Sequence, residues 1–141
     1  MRLFNNIILL FLFSFNLISK DPYPKNPNID ILNYSFELHL NDSNDVIYGE
    51  ANIKLTIKPG EKQIRLDLIS KTTDNKGMSV HEVMFNNKKI SFSHVKNVLK
   101  INTEDFEYDV NDILKIKYSG IPITGLIIGD NMHGDRTFFS D

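Results

Sequence analysis

Apolar and polar residues alternate with a period of two along most of the chain after residue 29. The pattern is clearest at 34–40 and 47–57, which are separated by a short polar segment at 41–45. Successive side chains of a strand point to opposite faces, so each segment is expected to form a half-buried strand with one wet face. In the segment 34–40, the apolar positions are Tyr34, Phe36, Leu38 and Leu40. The short polar connection predicts an antiparallel hairpin.

Further short strands follow, each bounded by turn-forming residues. The alternation predicts strands at 64–68, 80–85, 98–101 and 113–118, with a short apolar stretch between the second and third. Asn86-Asn87 predicts a tight turn after the second of them. No segment shows helical spacing over three turns. Many short strands with turn signals are typical of a sandwich or barrel, so the sequence predicts an all-β fold, an antiparallel β-sandwich.

The C-terminal end has a different pattern. Glycine and proline at 120–122 break the last predicted strand, and three further glycines follow. Phe138 and Phe139 stand almost at the end of the sequence. Adjacent phenylalanines would normally be packed beneath more chain. The sequence is therefore expected to be a piece of a longer protein.

The first 28 residues read as export and spacer segments. Residues 1–19 combine Arg2, a short apolar core and a small residue before Lys20, the layout of a signal peptide. The apolar core is short for a membrane span. Export to a periplasmic or extracellular compartment is predicted, with an uncleaved N-terminal membrane anchor as the alternative. Residues 20–28 contain three prolines and are predicted to be a linker.

Composition narrows the class of protein. A chain of 141 residues with 41% hydrophobic and 24% charged residues is ordinary for one globular domain. The net charge is -2 and the lysines are scattered, so no basic stripe is present and no nucleic-acid partner is expected. The chain has no cysteine, which excludes disulfides, thiolate nucleophiles and thiolate metal sites.

His81-Glu82 matches the first two residues of the His-Glu-x-x-His motif of zinc peptidases. In that motif a helix places both imidazoles on one face, and the glutamate polarises the zinc-bound water. Here the second histidine position holds Phe85. The segment is also predicted as a strand, in which residues four apart lie ~13 Å from each other. The pair is therefore interpreted as surface residues rather than metal ligands.

His133 lies in a polar loop between Asp130 and Asp135. A histidine with two carboxylates could bind a metal, but the spacing does not demand it, and a solvated loop is favoured. The serine and threonine hydroxyls lie outside any nucleophile-elbow context. The residues alone therefore predict a binding or structural module with no catalytic residue and no metal ligand.

Several stretches, in this order, carry a family resemblance. Residues 34–40 with 47–53 resemble an opening hairpin, and Ile-Arg-Leu-Asp-Leu at 64–68 resembles the next strand. The segment 116–126 resembles the pattern Y-x-G-x-P-x-x-G-L, and 134–139 resembles the stretch before a substrate-facing strand. Together they resemble the N-terminal domain of the aminopeptidase N family of zinc metallopeptidases, the gluzincins that include leukotriene hydrolase-type members.

The resemblance implies that residues 29–141 are a saddle-like N-terminal β-domain, incomplete at its C-terminal end. The family's zinc ligands, general base and Gly-x-Met-x-Asn loop come later, so zinc is expected only in the full-length parent. The family's β-domain also lends an amide or acid side chain to the pocket for the substrate's free amine. Asp141 is the nearest candidate, in place of the usual glutamine. The implied partners are the catalytic domain of the same chain and a peptide substrate.

Two other functions remain open at this point. The chain could be a free-standing secreted β-sandwich used for binding or adhesion. It could also be a degraded family member that has lost its catalytic domain and now binds peptides. A stop codon directly after residue 141, without a downstream zinc motif, would favour either of these over the aminopeptidase.

Overall fold

The computed structural model describes residues 25–104 and 112–140. The predicted signal peptide at 1–19 and the first part of the linker, 20–24, lie outside these residues. The strands are β1 (Ile29–His39), β2 (Ile47–Ile57), β3 (Gln63–Asp67), β4 (Gly77–Phe85), β5 (Lys88–Lys89), β6 (Phe92–Val95), β7 (Val98–Asn102), β8 (Asp112–Ile121), β9 (Leu126–Asp130) and β10 (Arg136–Ser140). No helix occurs in the described ranges, and none of their residues therefore forms a helix able to cross a membrane. The all-β prediction is confirmed.

The strands form three antiparallel sheets. The largest has the order β1-β2-β8-β4-β5, the second has the order β3-β7-β6, and β9 pairs with β10 alone. The predicted hairpin at 34–40 and 47–57 is confirmed as β1 and β2, which pair from Ile29 opposite Ile57 to His39 opposite Tyr48. The β8 strand crosses the centre of the large sheet, between β2 and β4. The β1 strand stands at one end of this order and is therefore an edge strand.

The five-stranded and three-stranded sheets share one apolar core. Along β2, every second side chain is buried, as the alternation predicts. The buried members are Ala51, Ile53, Leu55, Ile57, Ile64, Val83, Phe85, Ile90, Leu99, Ile101, Leu114 and Ile116. Phe85, Leu55 and Ile101 have no exposed surface. Burying a side chain of this size contributes ~1.5–3 kcal/mol, so this cluster is the main source of the fold's stability.

Asparagine builds the turns of the large sheet. In the β1–β2 turn, Asn41 Oδ1 accepts hydrogen bonds from the backbone N–H groups of Ser43 and Asn44, at 2.9 and 3.0 Å. The predicted tight turn between β4 and β5 is confirmed, because Asn86 and Asn87 have φ values of 46° and 65°. Asparagine tolerates this left-handed conformation better than most residues. Local side-chain chemistry therefore fixes where both hairpins reverse.

The apolar face predicted to be buried on β1 is open in the described structure, which contradicts the expectation of a half-buried strand. The apolar side chains predicted to be buried in this segment are between 43% and 60% exposed: Tyr34, Phe36 and Leu38 of β1, and Leu40 just after it. They lie on the core side of the sheet, since Tyr34 is opposite Ile53 and Phe36 is opposite Ala51. From β1, only Ile29 and Ile31 pack against the core. Among the described elements, the second sheet covers one end of β1 and leaves the other uncovered.

A second difference is the β9–β10 hairpin. The alternation predicts no clear strand after residue 118, because three glycines interrupt the pattern. The structure nevertheless pairs Leu126–Asp130 with Arg136–Ser140 in regular antiparallel register. Gly129 lies within β9, and Gly134 has a φ of 82° in the connecting loop. Gly129 is thus accommodated in the strand, and Gly134 makes the turn.

Candidate functional site

The β9–β10 hairpin presents two short apolar faces. Phe138 lies opposite Ile128, and Phe139 lies opposite Ile127. The second pair is the more exposed, with 52% of Phe139 and 41% of Ile127 accessible. Thr137 Oγ1 donates to the Gly129 carbonyl at 2.8 Å, which ties the two strands together beyond their ladder. The hairpin therefore holds a small apolar surface in a defined geometry.

One ion pair links the hairpin to the β1–β2 turn. The Arg136 guanidinium contacts the carboxylate of Asp45, and the arginine side chain is only 19% exposed. The two residues are 91 positions apart in the sequence, so no spacing rule predicts the contact. It joins the C-terminal hairpin to the end of the large sheet.

Asp141, the predicted neighbour of the substrate's amine pocket, lies outside the described residues. It directly follows β10 (Arg136–Ser140) in the sequence. Its position relative to the hairpin therefore stays a prediction.

His133 lies in the loop that connects β9 to β10. Asn131 Oδ1 accepts hydrogen bonds from the backbone N–H groups of His133 and Asp135, at 2.8 and 2.9 Å. Asn131 Nδ2 donates to Asp135 Oδ2 at 3.3 Å. The loop polar groups are thus used to close the turn, in an Asx-type arrangement. The backbone of the loop is organised by Asn131, with His133 at the exposed tip.

His81 and Glu82 lie at a bulge of β4. The register with β8 shifts between Val80 and Glu82, so the bulge inserts His81 as an extra residue. The His81 Nε2 atom lies 2.6 Å from Ser119 Oγ, and Glu82 pairs with Lys89 and Lys117 at 2.7 and 3.3 Å. Both side chains contact neighbours on strands: His81 is exposed, whereas the Glu82 side chain is 22% exposed. Within the described ranges, no group of three His, Asp or Glu side chains could hold a metal ion.

The polar face of the large sheet carries a network of opposite charges. Glu50 on β2 pairs with Lys115 on β8 at 2.8 Å and accepts a hydrogen bond from Asn52 at 3.0 Å. The hydrogen bond from Lys115 holds the pKa of Glu50 below its ordinary value, and the bond from Asn52 adds to this. The hydrogen bond from Lys89 likewise lowers the pKa of Glu82. These pairs lock neighbouring strands in register.

The Glu50 network predicts a specific loss of stability in acid. A carboxyl whose pKa is lower in the folded state stabilises the fold above its unfolded pKa of ~4.3, and this contribution disappears as pH falls through the folded pKa. Glu50→Gln should therefore lower stability at pH 7 by no more than ~1 kcal/mol. It should also flatten the decline of the melting temperature below about pH 4.3. Thermal melts from neutral to acid pH measure both. Asp30→Asn, at an exposed acid of β1, is the control, and parallel pH profiles for wild type and Glu50→Gln would contradict the assignment.

The uncovered part of β1 borders a groove between the two main sheets. Its volume is about 330 Å³, and its lining includes Tyr34, Phe36, Leu66, Leu68, Leu99 and Tyr118. Burial raises the pKa of the Tyr118 hydroxyl. A second cavity of about 670 Å³ continues along β1 and β3, and both cavities share Tyr34 and Leu66. The groove thus follows the open edges of the two main sheets.

Comparisons at the level of sequence give no match. No protein-family model matches the chain, and no curated protein does. The fold, by contrast, has well-defined counterparts among solved structures.

Zinc metallopeptidases share this fold over most of the chain. The M1 zinc metallopeptidase from Deinococcus radiodurans is 16% identical with a TM-score of 0.55, covering 73% of this chain and 22% of that one. A mutant of the same enzyme bound to a Tyr-Ser-Ala substrate is 14% identical with a TM-score of 0.54, covering 74% of this chain and 22% of that one.

Yeast LTA4 hydrolase, solved in complex with bestatin, is 16% identical with a TM-score of 0.63. The alignment covers 86% of this chain and 21% of that one. This chain therefore spans about a fifth of the length of the solved proteins it matches. The resemblance to an aminopeptidase N-terminal domain is confirmed in the fold: the chain has the architecture of one part of an M1 zinc metallopeptidase.

Proposed function

We propose that this chain is the non-catalytic N-terminal β-domain of an exported zinc aminopeptidase, built as a saddle-like β-sandwich. The observation that carries the proposal is the fold match to yeast LTA4 hydrolase, which covers 86% of this chain but only 21% of that protein. In the proposed parent, the zinc and the groups that activate water are supplied by a separate catalytic domain. The substrate is a peptide from which N-terminal residues are removed.

The β9–β10 hairpin is the surface proposed to meet the catalytic domain. Its side chains Ile127 and Phe139 are apolar, paired and exposed. Covering them with another domain would remove apolar surface from water at ~25 cal/mol per Å². The Arg136–Asp45 contact links the hairpin to the β1–β2 turn within this chain. The domain would thereby cap one side of the active-site cleft.

Asp141 is proposed to help position the substrate's N-terminus. It follows the last residue of β10 directly. A carboxylate near a protonated peptide amine would form a charge-assisted hydrogen bond, which is stronger than a neutral one. The role would be limited to binding and orientation, since the zinc and the groups that act on the peptide bond would belong to the catalytic domain.

The proposal is tested by the transcript that encodes this chain. The reading frame is expected to continue past codon 141 into a strand with arginine and proline, and later into a His-Glu-x-x-His helix. A stop codon at that point, with no zinc motif downstream, would contradict the proposal and leave a free-standing binding or adhesion module. Sequencing the mature transcript from its 5′ end to its poly(A) or terminator region distinguishes the two.

A further inference from the structure

The outer edge of β1 (Ile29–His39) is open among the residues that the structure describes. The strand is the first in the order β1-β2-β8-β4-β5, and no described strand pairs with its other side. Natural edge strands are usually protected by charged side chains, above all lysine, by proline, by a β-bulge or by short length, because free backbone groups invite pairing with another chain. This strand has eleven residues, with neither lysine nor proline among them. Its irregularity lies between Ile31 and Asn33, and the regular part that follows carries one acidic residue, Glu37. The part from Asn33 to His39 is therefore a weakly protected template for one more strand.

The side chains next to this edge would gain from being covered. The rings of Tyr34 and Phe36 stack on each other, with centroids 5.9 Å apart and planes 5° from parallel. They remain 50% and 60% exposed, beside the apolar groove between the two main sheets. A strand added at the edge would place its own side chains against these rings. Both backbone pairing and apolar burial therefore favour an occupant.

We propose that the occupant is β1 of a second copy of this chain, paired antiparallel about a twofold axis at Phe36. The first argument is register. The ladder with β2 shifts between Ile31 and Asn33 and is then regular from Asn33 to His39. Phe36 is the midpoint of that regular run. A symmetric pairing centred there uses all of it and stops before the irregularity.

The second argument is the order of side chains along the strand. In this register, Phe36 faces the partner's Phe36, Tyr34 faces the partner's Leu38, Ser35 faces the partner's Glu37, and Asn33 faces the partner's His39. The apolar residues meet on the core side and the polar residues on the other side. No two like charges face each other, which would be destabilising in a directly opposed pair. A register centred on Glu37 would oppose two carboxylates.

The size of this contact sets its strength. Specific stable interfaces bury ~1,200–2,000 Å² in total, and seven paired residues from each copy supply less than that. The dimer is therefore expected to be reversible and dependent on concentration. It is isologous, since the same surface of each copy meets the other. The proposal is independent of the peptidase assignment, because it rests on the edge of β1 and not on the hairpin.

The absence of cysteine from the sequence allows a direct test of the register. In Phe36→Cys, the only two thiols of the dimer would face each other across the axis. Directly opposed Cα atoms in antiparallel strands are ~4.5–5.5 Å apart, within the ~4.4–6.8 Å that a disulfide spans. Mild oxidation of the full chain should therefore give a covalent dimer. Ser35→Cys, displaced diagonally from its symmetry mate, and Val95→Cys, 62% exposed on a distant hairpin, should crosslink far more slowly.

Sedimentation velocity of the full chain provides the second measurement. Wild type should shift from monomer to dimer as concentration rises, whereas Phe36→Lys should remain a monomer because it brings two ammonium groups together. Val95→Lys, at a residue of similar exposure, should dimerise like wild type. Circular dichroism checks that each variant is folded. Monomer at every concentration, association unaffected by Phe36→Lys, or equal crosslinking at all three cysteine positions would overturn the proposal.

Discussion

Replacing Phe85 by alanine is expected to unfold a large fraction of the protein. The side chain has no exposed surface and packs within the cluster that both main sheets share. Phenylalanine-to-alanine changes in such sites cost ~3–5 kcal/mol, from lost burial and from the cavity left behind. Domains of ordinary stability have only ~5–15 kcal/mol in total. Chemical denaturation followed by circular dichroism should show a strongly reduced midpoint or no folded baseline.

Phe139→Ala is the matched control for this prediction. It removes the same atoms from a residue that is 52% exposed on the β9–β10 hairpin. Surface substitutions of this kind usually change stability by ~0.5 kcal/mol or less. Equal losses at Phe85 and Phe139 would contradict the location of the core.

Gly120→Ala is expected to lower the stability of the fold at least as much as Phe85→Ala, for a different reason. A Cβ at Gly120 would lie 2.0 Å from the carbonyl oxygen of Gly77 and 2.9 Å from the Cα of Met78. These are backbone atoms of the paired strand β4, so the clash can be relieved only by separating β4 from β8. Overpacking within a core costs ~1–3 kcal/mol, and this clash with backbone should exceed the upper end of that range.

Gly129→Ala supplies the comparison within the same class of residue. An added Cβ at Gly129 meets no atom within 4 Å, and the residue already lies in a strand. The melting temperature of the Gly129→Ala variant should therefore stay within a few degrees of that of wild type. If the melting temperature of Gly120→Ala equals those of Gly129→Ala and wild type, then the close approach of β4 and β8 at Gly77 is not present in solution.

Local patterns in the sequence were sufficient to predict most of the two main sheets. The bounds of β2 follow from its strict alternation of apolar and polar residues. One face of the strand is accordingly buried in the core between the two main sheets. The turn at Asn86-Asn87 follows from the tolerance of asparagine for positive φ. These features depend on residues close together in the chain, which is why the sequence reveals them.

Features that depend on distant parts of the chain were not predicted. The alternation of β1 indicates an apolar face but cannot show that the second sheet stops short of Tyr34. The turn at Lys96-Asn97 has positive φ at both residues, and lysine is not a usual signal for that conformation. The Arg136–Asp45 contact depends on how the hairpin folds back onto the first turn. Each of these is decided by tertiary packing rather than by local preference.

The candidate site was predictable only in part. The resemblance at 116–126 and 134–139 indicates a peptidase-type β-domain, and the solved zinc metallopeptidases share its fold. The structure places His81 beside Ser119, and Glu82 between Lys89 and Lys117. The adjacent Phe138 and Phe139 near the end of the sequence indicated apolar side chains without cover, and Phe139 is 52% exposed. The open edge of β1 carries no sequence signature, because it depends on the order of strands in the assembled sheet.

The central claim is tested most directly by the native polypeptide in the source cells. An antibody raised against the described domain should isolate the native protein, whose peptides from β2 and β8 identify it by mass spectrometry. Its intact mass and zinc content are then measured. A chain several times longer than 141 residues, carrying one zinc and releasing N-terminal residues from peptides, is the expected result. A zinc-free polypeptide that ends at Asp141 and has no peptidase activity would contradict the account.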